Sequence, residues 1–435
     1  MTRQEFQDLV RSRLICLDGA TGTELAKHGM PGGVCPEQWV LDHPDAIRQV
    51  HQGYLDAGSD IVYVPSFGGN RKKLTEFQLQ DRTAEINRTL AELVASQHPD
   101  ALRFGDIAPT GQFLEPSGDA SFEETVAIYR EQAQALLDGG VSGFAVETMF
   151  DLQEARAALL AIREICDLPV IVTLTFDKSG RTMTGCSAAS ALIALQSLGA
   201  DAFGCNCSTG PAAMKELIAS IKPYAKIPLI AKPNAGMPTL VDGKTVFSLG
   251  PEEFAREAAE IVSAGASILG GCCGTTPAHI AALRRELSRL APPSVGAEIA
   301  EAVSSPRQHL AIPAAKDDLP IGRAINAAAN EALQKDLQQG NFDSLQDLAM
   351  DQADDGAEIL NVNCALPGGD ENALLRQAVV ELCMYSGMPL SLETMDPAAL
   401  ETALRLYPGR ALVNGASAEI CAVAKKYGAL ALDLR

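Results

Sequence analysis

The stretch VSAGASILGGCCGTTPAHI, residues 262–280, decides how the rest of the chain is read. A helical pattern ends at Gly265, where glycine can take the left-handed cap conformation. SIL then reads as a short apolar strand, and a helix candidate follows it. Between the two stand adjacent cysteines, Cys272 and Cys273, framed by Gly270, Gly271 and Gly274. A strand, a reactive turn and a helix in that order form one βα unit of a parallel α/β fold.

Working back toward the N-terminus, the same unit recurs. Strands are expected at LICLD from Leu14, DIVYVPSF from Asp60, ALRFGDIA from Ala101 and GFAVETMF from Gly143. PVIVTLTF from Pro169, AFGCNC from Ala202, PLIAKPN from Pro228 and SILGGCCG from Ser267 complete a set of eight, each followed by a helix candidate. Glycines close several of the helices, as at Gly139 and Gly199. Eight such units in about 275 residues match the size of a closed (βα)8 TIM barrel. An open doubly wound sheet is the alternative arrangement of the same units. The barrel is expected to occupy residues 1–291.

From 292 to 318 the periodicity stops, and prolines, serines and charge suit a partly extended linker. Beyond it, LPIGRAIN, EILNVNCAL, PLSLETM, RALVNGAS and ALALDLR read as four βα units and a fifth strand. Residues 319–435 are therefore expected to form a partial, half TIM-barrel-like βα domain. Its unpartnered edge strand invites self-association.

Composition narrows the class of function. The chain has 435 residues, 47% hydrophobic and 21% charged, which suits a globular protein of two domains. A formal charge of -20 argues against nucleic acid, whose binding draws on clustered Lys and Arg. Eleven cysteines spread over a long chain argue against a disulfide framework and for a reducing compartment. The N-terminus lacks the apolar run of a signal peptide and no stretch is long and apolar enough to span a bilayer. A cytoplasmic protein is expected.

Active-site residues of such barrels sit at the C-terminal ends of the strands. Cys207 ends the sixth strand, and Cys272 with Cys273 ends the eighth, so one strand separates them in a closed barrel. Flanking glycines permit backbone angles that turn both sulfurs of the pair toward one point. Three thiolates suit Zn²⁺ and leave the open fourth position of a catalytic site. Buried, inert cysteines are the plainer reading of such a pair. The strand-end placement favours the metal. Cys205, two positions before Cys207, is a competing ligand by spacing alone.

The motifs DGATGTEL from Asp18, SFGGNRKKL from Ser66, GRTMTG from Gly180, GCNCSTGP from Gly204 and GGCCGTTPAHI from Gly270 together resemble the homocysteine S-methyltransferase family. Within it the likeness is nearest to the N-terminal module of cobalamin-dependent methionine synthases, over residues 10–290. That resemblance implies zinc on Cys207, Cys272 and Cys273, which sets Cys205 aside. It implies homocysteine recognition by Asp18 and Glu147, whose carboxylates suit an ammonium group. Backbone amides of Gly19, Ala20 and Thr21 are implied for the substrate carboxylate. Ser66 matches a family hydroxyl position, although VPSFGGN departs from the usual wording. No catalytic role falls to Arg181.

The segment from Leu319 resembles the start of the pterin-binding barrel that follows in methionine synthases. Asn326, Asn363 and Asn414 match it. Gly322 and Arg323, Asn361 and Val362, and Glu393 and Thr394 depart from it, and two acidic positions are lost. Folate binding by this chain alone is not expected. No D-x-H-x-x-G corrinoid motif follows.

The expected function is zinc-dependent methyl transfer to homocysteine, giving methionine. The methyl donor is expected to be methylcobalamin, supplied by a corrinoid protein or module. A stand-alone transferase using S-methylmethionine or betaine is the alternative within the family. A non-catalytic zinc-thiolate scaffold or thiol sensor is the alternative outside it.

Overall fold

All eight expected barrel strands form. The structure, a computed structural model, describes residues 1–241, 244–293, 300–313, 319–415 and 417–432. It divides into two compact units, Met1–Thr184 with Ala200–Ala297, and Gly185–Gly199 with Glu298–Arg435.

In the first unit the strands are β1 (Ile15–Cys16), β2 (Ile61–Val64), β3 (Leu102–Ile107), β4 (Gly143–Met149), β5 (Val170–Leu174), β6 (Ala202–Asn206) and β7 (Leu229–Lys232). A hairpin of β8 (Pro238–Val241) and β9 (Lys244–Phe247) follows, and β10 (Ala266–Leu269) is the last barrel strand. Eight of them pair in parallel in the order β1-β10-β7-β6-β5-β4-β3-β2. A parallel bridge between Leu17 and Ile61 links the first to the last. The sheet is thus a TIM barrel, and the open doubly wound arrangement is excluded.

Strands such as β2 (IVYV) and β5 (VIVTL) are buried along their whole length, as expected where helices cover one face of a parallel sheet and the barrel interior the other. One core cluster takes Ile15, Ile61, Phe104, Ile171, Ile230 and Ile268 from the strands and Phe6 and Val10 from the helix Arg3–Ser12. That helix starts at a capping box between Thr2 and Glu5. Phe6 is fully buried, so its truncation to Ala costs about 3–5 kcal/mol.

In the second unit, β11 (Ala302–Ser304) and β12 (His309–Ala311) pair antiparallel, and β13 (Ile321–Gly322), β14 (Ile359–Val362), β15 (Leu390–Glu393), β16 (Leu412–Asn414) and β17 (Leu430–Leu432) form a parallel sheet in sequence order. All five expected strands are present, with β13 and β17 at the edges.

Two boundaries differ from the sequence expectation. The segment 292–318 holds the β11/β12 hairpin, because Val303 is apolar enough to join a core of Leu319, Ile359, Leu412 and Leu432. Tyr407 donates its hydroxyl to the Ser304 carbonyl at 2.9 Å and fixes the hairpin there. Residues 294–299 and 314–318 of the expected linker, and 433–435 of the last expected strand, lie outside the described residues. The helix Ala188–Leu198, expected in the first domain, groups with the second unit. It is apolar around most of its circumference, and Ser304 donates to its Ser190 carbonyl at 3.4 Å.

Candidate metal and substrate site

Cys207 follows β6, and the chain turns sharply there: Cys207 and Ser208 have φ of 58° and 60°. Left-handed backbone at non-glycine residues costs about 1–3 kcal/mol each and persists where the surroundings enforce it. Cys272 and Cys273 follow β10. The ligand atoms of the three cysteines lie within 4.8 Å of one another, and the Cys207 and Cys273 sulfurs are 3.9 Å apart.

The glycines act partly as expected. Gly274 takes φ 80°, a left-handed angle that turns the chain after the pair. Gly271 is needed for room instead, since a Cβ there would lie 2.3 Å from the Thr275 hydroxyl oxygen. That hydroxyl donates to the Cys272 carbonyl at 2.7 Å and accepts from the Ala20 amide at 3.1 Å. Thr275 so ties the DGATG loop to the cysteine turn.

The electrostatics suit one negative charge shared among the sulfurs. Thiol donation from Cys272 and Cys273 holds the Cys207 thiol far below its ordinary value, while Cys272 and Cys273 are raised in exchange. Asn206, at the end of β6, supports the arrangement. Its Nδ2 contacts the Cys272 sulfur at 3.8 Å and donates to Thr148 Oγ1 at 2.7 Å. Its Oδ1 accepts from the Thr148 amide and the Thr173 hydroxyl, both at 2.8 Å.

A soft, tetrahedral cation fits this donor set. Asn234, buried after β7, interacts with the Cys207 sulfur, yet its Oδ1 has no hydrogen-bond partner among the described residues. Three thiols with an unpartnered carboxamide oxygen beside them make a donor set that a four-coordinate Zn²⁺ would fit. Cys205, by contrast, is buried, and burial pushes its thiol up to about 12.

The sulfurs open on a cavity of about 500 Å3, lined among others by Gly19, Ala20, Thr21, Asp106, Glu147 and Lys232. Of the expected substrate residues, Glu147 and the Gly19–Thr21 loop face it. Two do not. Ser66 is fully buried, and its hydroxyl donates to the Asp106 carbonyl at 2.8 Å and accepts the Asp106 amide at 3.2 Å. Asp18 is 1% exposed and faces Lys232 rather than the cavity. The reason is an internal cation that the sequence reading passed over.

Lys232, the last residue of β7, is buried with Nζ 3.1 Å from Glu147 Oε2, 3.7 Å from Asp18 Oδ1 and 3.7 Å from the Tyr63 ring centroid. Asp18 Oδ2 also accepts the Tyr63 amide at 2.8 Å. Burial pushes the Asp18 carboxyl up to about 6, against the pull of Lys232. Burial opposes the Lys232 charge too, but Glu147, Tyr63 and Asp18 outweigh it and hold its pKa well above the ordinary value. Asp106, at the cavity wall, is raised well above its ordinary value by burial first and then by Glu147. The signal that picked out Asp18 and Glu147, a charged residue closing an apolar strand, is present in FGDI and LIAK as well.

In the second unit, several polar groups near the strand ends have hydrogen-bond partners. Asn361 donates to Glu393 at 2.6 Å and accepts from Ser391 at 3.0 Å, Thr394 donates to Glu371 at 2.5 Å, and the Asn326 and Asn363 carboxamides accept the amides of Ala328 and Ala365.

The family model for homocysteine S-methyltransferase matches residues 15–287. The chain belongs to that family. It is similar to the methionine synthase of Mycobacterium tuberculosis (strain ATCC 25618 / H37Rv), with 31% identity over 438 residues, which is 95% of this chain and 36% of that protein. The methionine synthase of Mycobacterium leprae (strain TN) is 30% identical over 441 residues, again 95% of this chain and 36% of the other. The chain thus spans about a third of the length of these relatives. Among solved structures, the metallated form of the homocysteine methyltransferase MmuM from Escherichia coli shares the fold, with a TM-score of 0.54 at 23% identity, over 64% of this chain and 97% of that one. No helix of the described residues is long and apolar enough to cross a membrane.

Proposed function

We propose that this chain binds homocysteine through its sulfur at a zinc ion held by Cys207, Cys272 and Cys273, and readies that sulfur to accept a methyl group. The observation that carries the reading is three sulfur ligand atoms within 4.8 Å, opening on a cavity whose wall also bears Glu147. Bound zinc supplies Lewis acidity, which keeps a coordinated thiol ionised near neutral pH.

The chain's own residues do the rest. Glu147 offers a carboxylate to the substrate ammonium, and the Gly19–Thr21 loop lines the wall where the substrate carboxylate lies. Thr275 holds that loop against the cysteine turn, so the two ends of the substrate are placed by one rigid frame. In the transfer, the sulfur lone pair forms the new S–C bond, and the donor keeps the electron pair of the bond that breaks.

The donor we favour is a methylated corrinoid on a separate protein or module. Phe67, Phe113, Met183 and Met237, all large and exposed, lie in loops that follow barrel strands at the cavity end, and exposed Leu240 lies on β8 of the hairpin after β7. Apolar surface concentrated on one rim suits a docking partner better than a small, water-soluble donor. The second unit lacks two acidic positions of the pterin-binding pattern, with Asn361 and Glu393 paired to each other instead, so folate is not part of this proposal. Self-association through edge strands β13 and β17 belongs to it. All eleven cysteines are free, in keeping with a reducing, cytoplasmic location.

The test is methionine formation from L-homocysteine by zinc-loaded protein given methylcobalamin, S-methylmethionine, betaine or methyltetrahydrofolate. Turnover is expected with methylcobalamin and not with methyltetrahydrofolate alone. Faster turnover with S-methylmethionine or betaine would make the chain a stand-alone transferase. No turnover, together with no calorimetric binding of homocysteine, would leave only a zinc-thiolate scaffold or sensor.

A further inference from the structure

We propose that Tyr54 is a positioning residue for substrate binding: its hydroxyl, together with that of Thr275, fixes the Ala20 peptide and so aims the Gly19–Thr21 loop at the substrate carboxylate. The inference deepens the reading above and rests on homocysteine being the ligand.

Tyr54 lies on the helix Pro44–Asp56, and its side chain is fully buried. The hydroxyl donates to the Ala20 carbonyl at 2.9 Å and, at the longer distance of 3.4 Å, to the Thr275 carbonyl. Burial first, and then the charges of Asp18 and Glu24, push the phenol well above its ordinary value, so it stays a donor. From the other side the Ala20 amide donates to Thr275 Oγ1 at 3.1 Å, and that hydroxyl donates to the Cys272 carbonyl at 2.7 Å. Both polar groups of the Ala20 backbone are thus engaged inside the protein.

This arrangement has two effects. The Ala20 amide is withdrawn from the substrate, which leaves the carboxylate to the amides of Gly19 and Thr21 in the cavity wall. With Ala20 held at both N–H and C=O, the loop cannot turn freely, so the direction of those two amides is set before a ligand arrives. The packing allows no slack. A Cβ at Gly19 would lie 2.7 Å from Thr275 Oγ1 and 2.8 Å from the Tyr54 hydroxyl oxygen. Tyr54 does not itself line the cavity, and it acts on the substrate through Ala20.

Zinc-loaded protein is titrated calorimetrically with L-homocysteine and with 3-mercaptopropan-1-amine, which keeps the thiol and the ammonium and lacks the carboxylate. The parent is expected to prefer homocysteine. Tyr54→Phe keeps the ring and removes one hydroxyl, and should lower that preference by about 3–10-fold, the worth of one neutral hydrogen bond. Binding of the amine, and zinc affinity by chelator competition, should each change by less than about twofold. Thr275→Val, which frees the Ala20 amide, should lower the preference as well, whereas Thr275→Ser should keep it within about twofold.

An unchanged preference in Tyr54→Phe overturns the assignment. So does an equal loss of both ligands, which marks a merely structural role. Where Tyr54→Phe does not fold, an unchanged preference in Thr275→Val overturns it instead. Equal binding of both ligands by the parent overturns carboxylate recognition by the loop. A parent that binds neither ligand refutes homocysteine itself as the substrate, a result distinct from the others.

Discussion

Replacing Lys232 by methionine tests the electrostatic core of the site. The substitution keeps much of the side-chain volume and removes the charge that sits against Glu147 and Asp18. Lys232 is 3% exposed, so solvent offers no substitute for it. Removing one partner of a buried ion pair costs about 3–5 kcal/mol, because the other charge is stranded. For a unit of this size that is a Tm lower by roughly 6–15 °C.

The loss must also depend on pH. Burial raises the Asp18 carboxyl to about 6, above the 3.8 it has when exposed. A group raised on folding contributes stability that is complete below its unfolded pKa and is lost as pH rises through its folded pKa. Without Lys232 the Asp18 and Asp106 carboxyls are raised further, so the deficit of the variant is largest near pH 8 and shrinks toward pH 5. Thermal unfolding by circular dichroism at both pH values measures it. Lys215→Met, which breaks the exposed pair with Glu260, serves as the control and should cost less than about 1 kcal/mol. A Lys232→Met protein as stable as the parent at pH 8, or a deficit identical at pH 5 and pH 8, would refute the reasoning.

Three further outcomes are expected. Asn206→Ala frees the Thr148 turn and removes the contact to the Cys272 sulfur, and chelator competition should show zinc held about 10–100-fold more weakly, as for other groups that orient metal ligands. His51 is fully buried, and burial holds its pKa down to about 3 from an ordinary 6.5. Its contribution is therefore complete above pH 6.5 and fades as pH falls toward 3, by up to about 5 kcal/mol; the Tm of the parent should drop across that window, and His51→Gln should flatten the slope. Ser66→Ala leaves the buried Asp106 amide and carbonyl without that hydroxyl and should cost about 1–3 kcal/mol, read as a lower Tm in thermal unfolding.

Much of the fold was legible because periodicity is local. Each barrel strand is a short apolar run that must be buried whatever its neighbours are, and the number of such runs limits the architecture. The cluster of three cysteines was legible for a related reason. Cys207 and the Cys272–Cys273 pair end strands separated by one strand, and closure of the barrel brings such ends together irrespective of sequence distance.

The charge balance around the cavity was not legible in the same way. Asp18, Asp106, Glu147 and Lys232 each close an apolar strand, so on sequence grounds the four are equivalent candidates. Which carboxylates line the cavity and which reach Lys232, as Glu147 does both, depends on side-chain directions at the rim of a curved sheet. The reach of one lysine across the barrel mouth then decides the pairing. The hairpin Ala302–Ala311 was missed because each of its strands is three residues long, and only packing of Val303 against Ile359 and Leu412 makes it a strand at all.

By itself, then, the sequence determined the barrel, the five-stranded second sheet and the three thiols, because these follow from local burial patterns and from strand order. Tertiary structure alone decided how charge is shared at the mouth of the barrel. Desolvated groups a few ångströms apart set one another's ionisation, and those distances exist only once the strands have closed.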